Sequence, residues 1–164
     1  GGRVLFHVLT EFGYSDLAFS MITRPDYPSY GNWIARGATT LWEVFQPEGS
    51  NRIGSLNHHF WGDISSWFTQ ALSGIRMAPH GEPNEVDFRP SFISRLTHAE
   101  AFHIAPAGRI ASAWERDEDD VIVLTVELPS TMHGVIRLES GYVFEDGLAY
   151  KAAESGTYRI HSIE

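Results

Sequence analysis

The sequence contains no cysteine, which excludes disulfides, thiolate metal sites and a cysteine nucleophile together. No apolar run approaches the roughly 20 residues that a membrane-spanning helix needs. The start of the chain shows no signal-peptide pattern either, though in a piece of a longer protein that says nothing about the parent. Positive charge is scarce: 12 Lys and Arg stand against 21 Asp and Glu, for a formal net charge of −9. No basic cluster offsets that balance locally, so nucleic acid and anionic membrane surfaces are both disfavoured partners. There is no phosphate loop, dinucleotide fingerprint or nucleophile elbow. The histidines are scattered, and no pair has the i, i+4 spacing of a helical zinc motif. No cofactor and no metal are expected.

Aromatic residues, by contrast, are plentiful, with 5 Trp, 6 Tyr and 10 Phe. At that density they supply large core side chains, and they are also the residues that stack on sugar rings; composition does not separate the two uses. A chain of 164 residues can bury one ordinary core or two small ones.

The first third reads as helical. Val4, Leu5, Val8, Leu9 and Phe12 share one face of a helix that Gly13 ends. Ser15 and Asp16 open a second helix, with Leu17, Ala18, Met21 and Ile22 inward and Pro25 beyond its end. Such a hairpin cannot cover its own apolar face and needs more helices than this chain supplies. Residues 25–55 read as an irregular segment, and embedded apolar residues such as Trp33, Ile34, Leu41 and Phe45 argue for function over disorder. Phe60, Ile64, Trp67, Phe68, Ala71, Leu72 and Ile75 then predict a third helix closed by Gly74.

After a turn-rich segment from Met77 to Glu85, the period changes to two. Strands are expected over 86–93, 98–105, 109–116, 121–128, 134–138, 148–152 and 157–163. Pro90 should put the first of them on an edge or at a bulge, and the continuous apolar run at 121–128 belongs mid-sheet. Short strands separated by turns suggest an antiparallel sandwich.

The irregular segment carries Gly37-Ala38-Thr39-Thr40-Leu41-Trp42-Glu43, followed by Ser55-Leu56-Asn57-His58-His59. A carboxylate beside apolar bulk is a candidate for proton transfer, because desolvation disfavours its charged form. A Glu next to a Trp is nonetheless most often a surface carboxylate beside a core ring, and a lone His most often packs or caps.

The run from Tyr27-Pro28-Ser29-Tyr30-Gly31 through Thr39-Thr40-Leu41-Trp42-Glu43 to Ser55-Leu56-Asn57-His58-His59 and Gly62 resembles the end of the catalytic domain of bacterial α-L-rhamnosidases, glycoside hydrolase family seventy-eight. The later Ile104-Ala105-Pro106, Gly108-Arg109-Ile110, Trp114, Leu128-Pro129 and Ser155-Gly156-Thr157-Tyr158 are similar to that family's C-terminal domain. The resemblance implies a C-terminal piece in two parts. Residues 1–78 would be the terminal helical hairpins of an (α/α)6 catalytic barrel, and residues 79–164 an antiparallel β-sandwich.

It further implies inversion at the anomeric carbon, with an acid and a base roughly 6.5–9.5 Å apart. Glu43 would be the general base and His58 would bind the sugar, with Trp42 and Tyr30 as pocket walls. The partners would be a rhamnose-containing glycoside and the rest of the barrel. The family's general acid lies in an Asp-rich segment that nothing here matches. The run Asp117–Asp120 falls in a hairpin turn and lacks the ligand spacing of a calcium loop. The isolated chain is therefore expected to be inactive on rhamnosides.

Three other readings stand beside this one. Another inverting glycosidase or a phosphorylase on a helical barrel would carry a similar late carboxylate. A carbohydrate-binding module would present Phe88, Phe92, Phe102, Trp114 and Tyr142 as a stacking face. A purely structural sandwich is the third use for the β half.

Overall fold

In the computed structural model, which describes residues 2–50 and 54–163, the first apolar pattern folds as two helices, α1 (Gly2–Glu11) and α2 (Ser15–Thr23). Gly13, at φ +80°, ends α1 in the left-handed conformation, and the Tyr14 N–H reaches back to the Leu9 carbonyl at 2.8 Å. Ala18 and Ile22 of α2 are buried. The inward face of α1 is Phe6 and Thr10, to which the Trp67 indole donates at 3.1 Å (Phe6 carbonyl) and 2.9 Å (Thr10 hydroxyl). Val4, Leu5, Val8 and Phe12 remain 41–74 % exposed, and Leu17, expected inward, is 50 % exposed. The apolar stripe of α1 exists, but nothing among the described residues of this unit covers it.

Residues 25–55 are less irregular than expected, because a short helix, α3 (Tyr30–Ala35), lies within them. The Ser29 hydroxyl oxygen caps it, accepting from the Asn32 N–H at 2.8 Å, and donates to the Arg24 carbonyl at 2.6 Å. Gly31 is required by close approach: a Cβ there would lie 2.3 Å from the Thr23 carbonyl oxygen. Residues 51–53 of this stretch lie outside the described residues.

The single helix expected over 60–75 is broken up. A 3₁₀ turn (His59–Trp61), α4 (Ile64–Trp67) and a wide π-type turn (Phe68–Leu72) replace it, and Ile75 begins a strand. The cause is competition for carbonyls. The Ala71 carbonyl accepts from the Ser91 N–H and that of Gly74 from the Arg89 N–H, both at 2.8 Å. The Leu72 carbonyl accepts from the Trp114 indole at 2.7 Å. Groups that would end a helix unsatisfied thus find partners farther along the chain.

By its contacts the chain divides into Gly1–Trp67 and Phe68–Glu164, ahead of the boundary expected after Ala78. The second unit holds β1 (Ile75–Met77), β2 (Glu85–Phe88), β3 (His98–Ala105), β4 (Gly108–Arg116), β5 (Ile122–Glu127), β6 (His133–Arg137), β7 (Tyr142–Phe144), β8 (Tyr150–Ala152) and β9 (Gly156–Ser162). They form two sheets, ordered β1-β2-β6-β8 and β3-β4-β5-β9-β7. Val86, Phe88 and Ile136 of the first share one apolar core with Ile110, Trp114, Leu124 and Ile160 of the second. β5 occupies the middle of its sheet, as its apolar run implies.

Three features depart from the expectation. β1 and β7 were not anticipated. β2 and β6 pair in parallel within otherwise antiparallel sheets, and that pair is tight: a Cβ on Gly134 would stand 1.7 Å from the Val86 carbonyl oxygen. Pro90 does not mark an edge, since β2 ends before it and lies inside its sheet. The stacking face expected of a binding module is also absent. Phe88, Phe92 and Trp114 are at most 2 % exposed because they belong to the apolar core between the sheets. Tyr142 is half-buried and packs on Phe92 at 4.9 Å between ring centroids. Phe102 alone of the five is exposed, beneath the Arg109 guanidinium at 5.1 Å.

Candidate active site

The two loop motifs meet. The Glu43 N–H donates to the Ser55 carbonyl at 2.9 Å, and the His58 N–H donates to the Leu41 carbonyl at 2.8 Å. The Thr40 hydroxyl also donates to the Leu56 carbonyl. Residues 40–43 and 55–58 therefore run side by side in opposite directions, which brings Glu43 and His58 onto one short platform. The platform is held mostly by backbone groups, so its geometry depends little on flexible side chains.

The carboxylate of Glu43 is half-buried, and its Oε2 accepts from the Ser55 N–H at 2.9 Å. A charge-assisted bond of this kind orients a carboxylate more firmly than a neutral one would. The half-buried ring of His58 accepts at Nδ1 from the Phe60 N–H at 3.1 Å. That bond specifies the tautomer: in the neutral ring the proton sits on Nε2, which is then the donor. His59 stacks on His58 with centroids 4.9 Å apart and planes 15° from parallel.

Trp42 is half-buried, tilted against Trp33 at 6.0 Å, and covered by the Arg36 guanidinium 5.2 Å from its ring centroid. Tyr30 departs from the expectation of a pocket wall. It is 9 % exposed and sits within a cluster of Phe6, Trp33 and Phe45 at centroid distances of 5.3–6.3 Å. Its hydroxyl donates to the Trp61 carbonyl at 3.1 Å. Burial, then the negative charge of Asp63, pushes its phenol up to about 12, so it remains a hydrogen-bond donor across the ordinary pH range. The physical reason for its place is α3, whose first residue it is and whose cap points it into the core.

Trp61 and Asp63 did not stand out in the sequence. The Trp61 indole donates to the Glu43 carbonyl at 2.8 Å, and its ring packs on Phe45 at 5.0 Å. Asp63 Oδ2 lies 3.1 Å from His7 Nε2 of α1. One signal was available for Trp61: a packed tryptophan needs an acceptor for its N–H, and a loop carbonyl is a natural one. Among the described residues no group of three or more His, Asp or Glu is placed to hold a metal ion. In the 117–120 turn, Asp117 Oδ1 accepts from the N–H groups of Val121 and Asp119 at 3.0 Å. Those bonds, the Val121 one foremost, hold its carboxyl below the usual range, with Arg159 3.1 Å from Oδ2. This is a structural turn.

Two family models match: the bacterial alpha-L-rhamnosidase 6 hairpin glycosidase domain over residues 1–72, and the bacterial alpha-L-rhamnosidase C-terminal domain over residues 84–142. An alpha-L-rhamnosidase of Alteromonas sp. is 30 % identical over 99 % of this chain and 19 % of its own length. One of Formosa agariphila is 33 % identical over 80 % of this chain and 15 % of its own length. Among solved structures, the alpha-L-rhamnosidase from Dictyoglumus thermophilum superimposes with a TM-score of 0.81 at 26 % identity, over 99 % of this chain and 20 % of that one. The Streptomyces avermitilis alpha-L-rhamnosidase complexed with L-rhamnose gives 0.81 at 26 % identity, over 98 % and 17 %. The chain thus spans about a fifth or less of these relatives.

Proposed function

Because the chain belongs to the bacterial α-L-rhamnosidase family, we propose that it is one portion of an inverting glycoside hydrolase that releases terminal α-L-rhamnose from rhamnosides. Residues 1–67 would complete an (α/α)6 catalytic barrel, and residues 68–164 would form an accessory β-sandwich with a structural role. The observation that supports the reading is the backbone pairing of residues 40–43 with 55–58, which joins the segments that carry Glu43 and His58.

Glu43 takes a proton from water as its oxygen attacks the anomeric carbon from the face opposite the leaving group. An acid supplied outside this chain protonates the glycosidic oxygen, the anomeric C–O bond breaks, and the sugar leaves with inverted configuration. The Nε2–H of His58 donates to a sugar hydroxyl, and Trp42 offers an apolar ring edge to the 6-deoxy methyl group. Tyr30 supports the site from behind, through the Trp61 carbonyl.

The test is stereochemical. Proton NMR of the full-length enzyme acting on an aryl α-L-rhamnoside should record β-L-rhamnose first, before mutarotation. First appearance of the α anomer, or release of a different sugar or a sugar phosphate, overturns the reading. The isolated chain, lacking the acid, should hydrolyse the same substrate at least about 10²-fold more slowly than the full enzyme. Comparable rates for the two would mean that a proton donor lies within residues 1–164.

A further inference from the structure

We infer that Trp61 is a positioning residue for Glu43, fixing the carboxylate through the main chain and not by touching substrate. The inference rests on Glu43 being the general base. Among the described residues, three separate hydrogen bonds hold residue 43. Its N–H donates to the Ser55 carbonyl at 2.9 Å, its Oε2 accepts from the Ser55 N–H at 2.9 Å, and its own carbonyl accepts from the Trp61 indole at 2.8 Å. The first two come from one residue of the facing loop segment and would allow residue 43 to pivot about that contact. The third comes from a different part of the chain, and it removes the pivot.

Trp61 is itself well placed to act as a fixed point. Its ring is wedged between Phe45 at 5.0 Å and Phe60 at 5.3 Å, and its carbonyl accepts from the buried Tyr30 hydroxyl at 3.1 Å. The Trp61 backbone is thus tied to α3, and its indole to the loop that carries the base. A general base must meet the attacking water within hydrogen-bond reach, and small displacements of such a group are costly. The ring without the N–H would fill the same space and leave residue 43 free to turn.

A double-mutant cycle in the full-length enzyme separates this role from a merely structural one. With an activated aryl rhamnoside, Trp61→Phe should lower kcat roughly tenfold and leave KM within about twofold. In a Glu43→Gln background the same change should cost nothing further, because the group it positions is gone. Equal losses in both backgrounds, or an effect on KM alone, would overturn the inference. Should Trp61→Phe fail to fold, a benzothienylalanine at position 61 keeps the bicyclic shape and lacks the N–H; ordinary kcat in that variant would overturn the inference as well. Failure of the underlying reading has a different signature: Glu43→Gln alone would then retain ordinary turnover, whatever Trp61→Phe does.

Discussion

Glu43→Gln in the full-length enzyme is expected to lower kcat by about 10²–10⁴ while KM changes little, since the amide fills the same space but cannot accept the proton of the attacking water. The loss should fall on turnover because the sugar is bound by other groups, His58 among them. A second variant sharpens the test. Glu43→Ala leaves room for azide, an anion that attacks the anomeric carbon without a proton to lose. Added azide should therefore restore part of the rate and yield the β-L-rhamnosyl azide, with the leaving group still protonated by the acid. Ordinary turnover in Glu43→Gln would remove Glu43 from the mechanism. Low activity without azide rescue in Glu43→Ala would point to a structural part for the residue instead.

The second large effect is on stability. Trp114→Ala should destabilise the β unit by about 3–5 kcal/mol, the range for emptying a buried aromatic site. Trp114 is 2 % exposed, packs edge-on to Phe92 at 5.5 Å, and donates its indole N–H to the Leu72 carbonyl at 2.7 Å. Truncation therefore opens a cavity and also leaves a carbonyl without its donor. Phe102→Ala on the exposed face should cost less than about 0.5 kcal/mol and serves as the control. Denaturant unfolding followed by far-ultraviolet circular dichroism compares the two. Similar costs for both would mean that Trp114 is not the core residue its burial makes it.

The β half was the more legible in sequence. Alternation located β3 over His98–Ala105 residue for residue, and the apolar run of β5 foretold a central strand, because each rests on side chains one strand carries by itself. Pro90 misled because a missing N–H matters only within the ladder, and β2 stops at Phe88. The parallel pairing of β2 with β6 depends on which distant strand lies alongside, which local pattern does not encode.

In the helical half, Ile75 fits a period of 3.6 as well as the strand it joins, so the break after Trp67 was invisible. α3 was hidden because Gly31 and Asn32 are poor helix formers; what allows the helix is the Ser29 cap and the contact with the Thr23 carbonyl. At the site, the Glu43 and His58 motifs could be picked out as residues. Their meeting could not, because it runs through backbone bonds between segments a dozen or more positions apart. For Trp61 the sequence indicates that the indole needs an acceptor, but which carbonyl accepts is set by the fold.

The bare stripe of Val4, Leu5, Val8 and Phe12 on α1 bears on how such a chain would behave in a cell. Oily side chains in contact with water invite capture by chaperones and self-association that grows with concentration. Under the proposed assignment, the polypeptide able to hide that stripe is synthesised earlier. Release from quality control would then wait until the last hairpins dock on those already made, tying solubility to completion of the catalytic ring.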